Sequence, residues 1–479
     1  MGENFIDRYI DLVGQVTDAP PLFTRASAYW LTSLLFGVYV ICPIATPGTT
    51  RPNVWFLLSG PPGITRKSTV IDSLGRRFFR KLFSKYLMNK LQISEYEARR
   101  ISDLVFIENA TPEGLADHIQ LTYSYLSGVE EEGNGESILD RYSLITTEFG
   151  GILRMCEREY MTGFKEKLSK IYYGEGDTFY LSKRGKKPEE RIRHIPEGLY
   201  VCALVGIQKL NLYVSPELVK QGLLRRFIII HQDIHDKIRR LPPLDPIRKT
   251  LYTEFEELAE DYTDMMENYN SFDPQTQRPL QVFVRMDKTV MDEINKFWQQ
   301  CEDEYAKNTE DLWLLYKQSA WEHLIKLSVL EAIARTPEPD YRLGDLEIKV
   351  DKVDFERAFE FLQKVLKTAQ PEVSSIGAQP LDLHLPLSQG SLNFIYNMVE
   401  SAGSNGITRS DLLIKSGLLK EDLKRLIVTL IEQGRVVAYK YQPTGGGRFV
   451  IKFFAKKYEK HAAISGGQPI PSDTLEVVW

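Results

Sequence analysis

Residues 60–69, GPPGITRKST, combine the residue types that a polyphosphate-binding loop requires. Consecutive backbone N–H groups must turn inward toward the anion, which calls for glycines tolerant of positive φ. A lysine must reach the β/γ-phosphates, a hydroxyl must face Mg2+, and a helix N-terminus must aim at the negative charge. Lys67 and Ser68 supply the lysine and the hydroxyl, and Gly60, Pro61, Pro62, Gly63, Arg66 and Thr69 complete the expected nucleotide-binding loop. Its lettering is unusual. Arg66 stands where the second glycine of GxxxxGK[ST] belongs, and Gly60 falls one residue early, so this P-loop has an insertion and a substitution.

Hydrolysis of bound ATP also needs a carboxylate at the end of a neighbouring strand, to orient water or complete the metal shell. YSLITTE (142–148) ends in Glu148, with Thr147 where an aspartate commonly precedes it. Ser68, Glu148 and water are then the expected ligands of Mg2+.

For these groups to meet, strands must end at the loop and at Glu148. The apolar run VWFLLS (54–59) leads straight into the loop. DLVFIEN (103–109), YSLITTE, TFYLS (178–182), RIRHI (191–195), LYVCALVG (199–206) and RFIIIH (226–231) read as further strands, and Thr111-Pro112 opens a helix between the second and third. Strands alternating with helices predict an α/β fold with a parallel sheet. The expected division is an N-terminal helical segment (1–50), an ATPase core (51–245), a helical, lid-like domain (246–370), a proline-containing linker (371–390), a compact domain (391–460) and a tail (461–479) that is mobile or docked on a partner.

In the compact domain, Leu423, Leu426, Ile427, Leu430 and Ile431 recur at helical spacing. A shorter helix is expected over 407–417 and a hairpin with a glycine tip over 435–454. Helix, turn, helix and β-wing make a winged helix. Residues 435–460 hold seven Lys/Arg against one acid, Glu459, an excess that favours duplex DNA through its phosphates. Lys440, Arg448 and Lys452 are the expected contacts, and docking to another protein is the alternative use of such a module.

Four blocks, RPNVWFLLSGPPG…RKST, ATPEGL (110–115), LITTEFGGIL (144–153) and GLLRRFIII (222–230), resemble in their order a family of P-loop ATPases. Its members are carried by plasmids, phages and archaeal mobile elements, often beside or fused to primases. The family is AAA+-like, and GLLRRF resembles an element of the minichromosome maintenance helicases. The resemblance spans about residues 20–235. It implies that Lys67 and Ser68 are the Walker A pair, Glu148 the Walker B carboxylate and Gln208 a sensor of the γ-phosphate. It makes Arg226 an arginine finger acting in a neighbouring subunit, with Arg225 the competing choice. A finger in trans implies a closed ring, hence a homo-hexamer. The insertion TFYLSKRGKKPEERIRHI (178–195) resembles the hairpin with which such helicases grip single-stranded DNA, and its tip holds Lys183, Arg184, Lys186 and Lys187. A solvated turn is the plainer reading of that tip.

Composition bounds the rest. At 479 residues with 43% hydrophobic and 26% charged residues the chain is an ordinary globular protein, not a disordered or fibrous one. A net charge of −5 leaves nucleic-acid binding to local patches. Cys42, Cys156, Cys202 and Cys301 are far apart, with no zinc spacing, and a reducing, cytoplasmic setting is expected. The apolar stretch 27–44 reads as a buried helix rather than a membrane span. The expected function is an ATP-dependent, ring-forming DNA helicase, translocase or helicase loader in replication of a mobile element, with a primase or other replication protein as partner. The alternatives are an ATP-gated DNA-binding or origin-recognition switch and an ATPase of defence or transposition.

Overall fold

The computed structural model describes residues 4–43, 50–61, 65–108, 114–120, 122, 141–156, 164–180, 192–232, 246–273, 275, 278–342, 344–376, 389–416, 420–442 and 449–470. It divides into two compact units, Met1–Ala378 and Gln379–Trp479.

The strands of the first unit are β1 (Val40–Ile41), β2 (Trp55–Ser59), β3 (Phe106–Ile107), β4 (Arg141–Thr146), β5 (Asp177–Tyr180), β6 (Ile192–Ile195), β7 (Tyr200–Ile207), β8 (Phe227–His231), β9 (Val282–Met286), β10 (Asp340–Arg342) and β11 (Asp345–Val350). Five of them form a parallel sheet in the order β3-β4-β7-β2-β8. Every residue of β2, β7 and β8 is buried, which is why these strands are unbroken apolar runs rather than alternating ones. The unit is therefore mixed α/β with a parallel sheet. β3 is shorter than the expected 103–109, because a capping box of Ser94 and Glu97 sustains a helix, Glu95–Leu104, into that stretch.

The segments on either side join the same core. Helix Pro21–Phe36 starts with proline at its first turn and is buried along almost its whole length. Helix Phe5–Val16 packs beside it. Both are pinned by Glu331, a fully buried carboxylate that accepts from Tyr29 Oη at 2.5 Å, Arg25 Nη2 at 2.8 Å, and Asn4 Nδ2 and Arg357 Nε at 2.9 Å. The stretch 246–370 is not purely helical, as expected, but carries β9, β10 and β11. They form a second sheet, β1-β9-β11-β10, with β1 from the N-terminal segment parallel to β9. The period-two burial of VFVRM is short and lies between two helical runs, which masks it in the sequence. Helix Lys352–Ser374, capped by Asp351 and Asp354, runs through Pro371 into the expected linker. Pro371 removes one backbone hydrogen bond from the last turns of that helix.

The second unit has helices Gln389–Ser401, Arg409–Ser416 and Lys420–Glu432 and a sheet ordered β12 (Ile407–Thr408), β14 (Val450–Ala455), β13 (Val436–Tyr441), β15 (Gln468–Ile470). Leu423, Leu426, Ile427 and Leu430 face Leu392, Ile395 and Phe453 in a core of its own. The tail is built into this unit as far as Ile470: β15 pairs antiparallel with the open edge of β13, and Ala462 packs on Tyr439 and Phe454. No helix among the described residues is long and apolar enough to cross a membrane.

Candidate active site

The loop leaves the carboxyl end of β2, in the middle of the sheet. β7 and β8 end on either side of it, the position at which open parallel sheets take ligands. Gly60 has φ +155°, and a Cβ there would lie 2.3 Å from the Gln232 carbonyl oxygen, so the position requires glycine. Arg66, with φ +52°, adopts the left-handed conformation that the missing glycine would take freely. For arginine this costs on the order of 1–2 kcal/mol. Its guanidinium turns outward to Asp18, with Nε 2.9 Å from Oδ1, a partner 48 residues away that no local motif signals.

Lys67 is buried. Its ammonium donates to the carbonyl of Gly60, to Thr65 Oγ1 at 3.2 Å and to the carbonyl of Pro61 at 3.4 Å. Desolvation pulls its pKa down to about 8, and the charge of Glu148 works against that fall. Glu148 thus lies close enough for its carboxylate to act on the ammonium. It sits exposed just past β4, its backbone N–H donating to Thr146 Oγ1 at 3.2 Å. Ser68 is exposed at the head of the helix that runs from 67 to 91. The turns Thr69–Arg76 of that helix are of the wider π type, a feature often found at functional sites.

Gln208 follows β7 directly and is exposed. Its carbonyl accepts the Gly60 N–H at 2.8 Å and the Ser59 hydroxyl at 3.2 Å, which ties the turn after β7 to the start of the loop. Two further groups at the strand ends are His231 and Glu372, whose pairing across the chain leaves no short-range pattern to find.

Arg226 is not at this end of the sheet. It precedes β8, a strand's length of roughly 15 Å from the loop. Its Nη1 donates to Gly222 O at 2.5 Å and its guanidinium lies 5.2 Å from the centre of the Tyr173 ring. Arg225 instead reaches Gln318 Oε1 at 3.5 Å.

β5 and β6 pair antiparallel, Asp177 opposite Ile195 and Tyr180 opposite Ile192. The tip they would carry, with Lys183, Arg184, Lys186 and Lys187, lies outside the described residues, as do Pro62, Gly63 and Arg448. In the second unit Lys440 Nζ lies 3.4 Å from the Phe449 ring centre, and Lys452 Nζ donates to Asn405 O at 3.2 Å.

Two cavities, of about 480 and 510 Å3, lie elsewhere. One is lined by Arg51, Asn53, Tyr173 and Lys326 near the amino ends of the strands, the other by Pro216, Lys220, Asn308 and Asp311. Neither is lined by the loop, which here satisfies its lysine with its own carbonyls. Among the described residues there is no group of three or more His, Cys, Asp or Glu able to hold a metal ion. Mg2+ at nucleotide sites takes one or two protein oxygens beside phosphates and water, and Ser68 and Glu148 are donors of that kind. No protein-family model matches this chain, and no curated protein matches it either.

Proposed function

We propose that this chain is an AAA+-like P-loop ATPase that assembles as a ring on DNA and serves a mobile element as helicase, translocase or loader. The observation that carries the reading is the placing of Lys67 and Glu148 past the carboxyl ends of β2 and β4, near enough for their charges to interact, beside a turn that requires glycine at position 60. On this reading Lys67 exchanges the loop carbonyls for β/γ-phosphate oxygens, which are far stronger acceptors for an ammonium. Glu148, exposed and adjacent, orients the attacking water and takes up its proton. Ser68 and Glu148 hold Mg2+, which supplies charge neutralisation at the phosphates when bound. Gln208, carried on the turn tied to Gly60, faces the γ-phosphate. Arg226 lies too far along β8 to serve its own chain's loop, the disposition needed of a residue that acts in the neighbouring subunit, and it must first leave Gly222 and Tyr173.

The β5–β6 pair would present its basic tip to single-stranded DNA. On this reading the second unit, with helices Arg409–Ser416 and Lys420–Glu432 followed by the β13–β14 hairpin, serves as a winged helix and would hold duplex DNA or a replication partner through Lys440 and Lys452. Turnover of ATP, with and without single-stranded DNA, tests the first half. Lys67→Ala is expected to lower it by 100-fold or more. Equal turnover in the two proteins ends the proposal.

A second reading, an ATP-gated DNA-binding switch with slow hydrolysis, is favoured by one feature: Lys67 is already satisfied by Gly60, Thr65 and Pro61, so nucleotide must open the loop before it binds.

A further inference from the structure

At the base of the loop the ends of three strands are pinned to one helix. Ser59, the last residue of β2, has its Oγ 3.1 Å from His231 Nδ1 at the end of β8 and 3.4 Å from Glu372 Oε2. The other carboxylate oxygen of Glu372 is 3.5 Å from His231 Nδ1. Glu372 Oε2 also accepts the Leu210 N–H at 2.9 Å, just beyond the end of β7. One helical turn earlier, Thr368 Oγ1 accepts the His231 N–H at 3.4 Å. Thr368 and Glu372 are i, i+4 neighbours on one face of the helix Lys352–Ser374.

A carboxylate this deeply placed is expensive to desolvate, and apolar packing would hold a helix against a sheet at less cost. Its charge is useful for something else: a carboxylate is a stronger acceptor than a neutral group, and here it holds the Leu210 N–H at 2.9 Å with the Ser59 hydroxyl more loosely at 3.4 Å. The donors it holds belong to the two segments that frame the candidate nucleotide. Ser59 immediately precedes Gly60, and Leu210 closes the turn whose Gln208 carbonyl holds the Gly60 N–H.

We infer that Glu372 is a positioning residue for the phosphate loop. It fixes the end of β2 and the turn 208–210 in one geometry, and it connects both to the helix whose C-terminus leads out of the first unit. This inference rests on the reading of residues 60–69 as a nucleotide site.

The test compares the full-length wild type with Lys67→Ala, Glu372→Gln and Ser59→Ala. KM and kcat for Mg-ATP and the Kd of a non-hydrolysable ATP analogue are measured, with thermal melting of the nucleotide-free proteins. Glu372→Gln keeps the shape and loses the charge, and is expected to raise KM and Kd by about tenfold with kcat within about twofold. Ser59→Ala removes one link and leaves the carboxylate in place, so it serves if Glu372→Gln melts too early to assay. It is expected to move KM and Kd in the same direction by severalfold. If the wild type binds the analogue, Lys67→Ala does not, and both other variants keep wild-type KM and Kd, this inference falls and the nucleotide site stands. If the wild type binds no analogue, or Lys67→Ala binds it equally well, the nucleotide reading falls and takes the inference with it.

Discussion

On the proposed reading the chemistry turns on Lys67, and its protonation makes a prediction of its own. Burial lowers its pKa from the ordinary lysine value to about 8, so the free protein loses this charge as the pH climbs through 8, while an unfolded chain keeps it to about 10.5. A bound triphosphate favours the charged form. Affinity for ATP should therefore be greatest below pH 8 and fall severalfold between pH 7 and pH 9, measured as a Kd by titration calorimetry. The sign for folding is opposite: the nucleotide-free protein gains stability over pH 8–10.5, where only the unfolded chain still binds the proton. An ATP affinity that stays level to pH 9 contradicts this account of the lysine. The sequence singles out Lys67 and Ser68 by adjacent letters and Glu148 by its place at a strand end, and the structure puts the first two after β2 and the third just past β4. It does not single out Asp18 and Glu372, because their partners are distant in the chain and only folding brings them together.

Among the elements, the long helices of the first unit do more than cover the sheet. Glu331 on helix Ala320–Arg335 gathers Asn4, Arg25, Tyr29 and Arg357, so one carboxylate joins both N-terminal helices to the helix that carries Glu372. Removing one member of a buried ionic group leaves the others uncompensated. Glu331→Ala should cost on the order of 3–5 kcal/mol in chemical denaturation. A loss under about 1 kcal/mol would mean that these helices are held by apolar packing alone. Strand positions in the core were readable to within a residue or two, since a strand buried on both faces is an unbroken apolar run. β9, β10 and β11 were not. β9 is short and half-exposed and pairs with β1, some 240 residues earlier, and with β11, whereas β10 and β11 form a local hairpin whose alternating DLEIKV lies between two long helices. The strand β15 escaped for a similar reason: Gln-Pro-Ile has no strand signature, and it is recruited by the open edge of β13.

At the scale of the whole molecule, the position of Arg226 decides what kind of assembly is expected. On the proposed reading Arg226, a strand's length from its own chain's loop, would act on the γ-phosphate of a neighbouring chain. Sedimentation in the presence of a non-hydrolysable ATP analogue should therefore convert the protein to a hexamer, and Arg226→Ala should bind ATP normally but turn it over at least 100-fold more slowly. A protein that stays monomeric or dimeric with nucleotide fits the switch rather than the motor. With a net charge of −5 the molecule as a whole does not attract DNA, so on the proposed reading binding would be confined to the basic tip and the second unit and should weaken steeply with salt.

The expectations for turnover, assembly and ATP affinity presuppose that the turn after Ser59 holds a triphosphate. Calorimetric titration of the wild type with ATP and Mg2+ at pH 7 asks this directly. One ATP per chain, with binding lost in Lys67→Ala, is the predicted result. No heat of binding, or the same isotherm for both proteins, would contradict it.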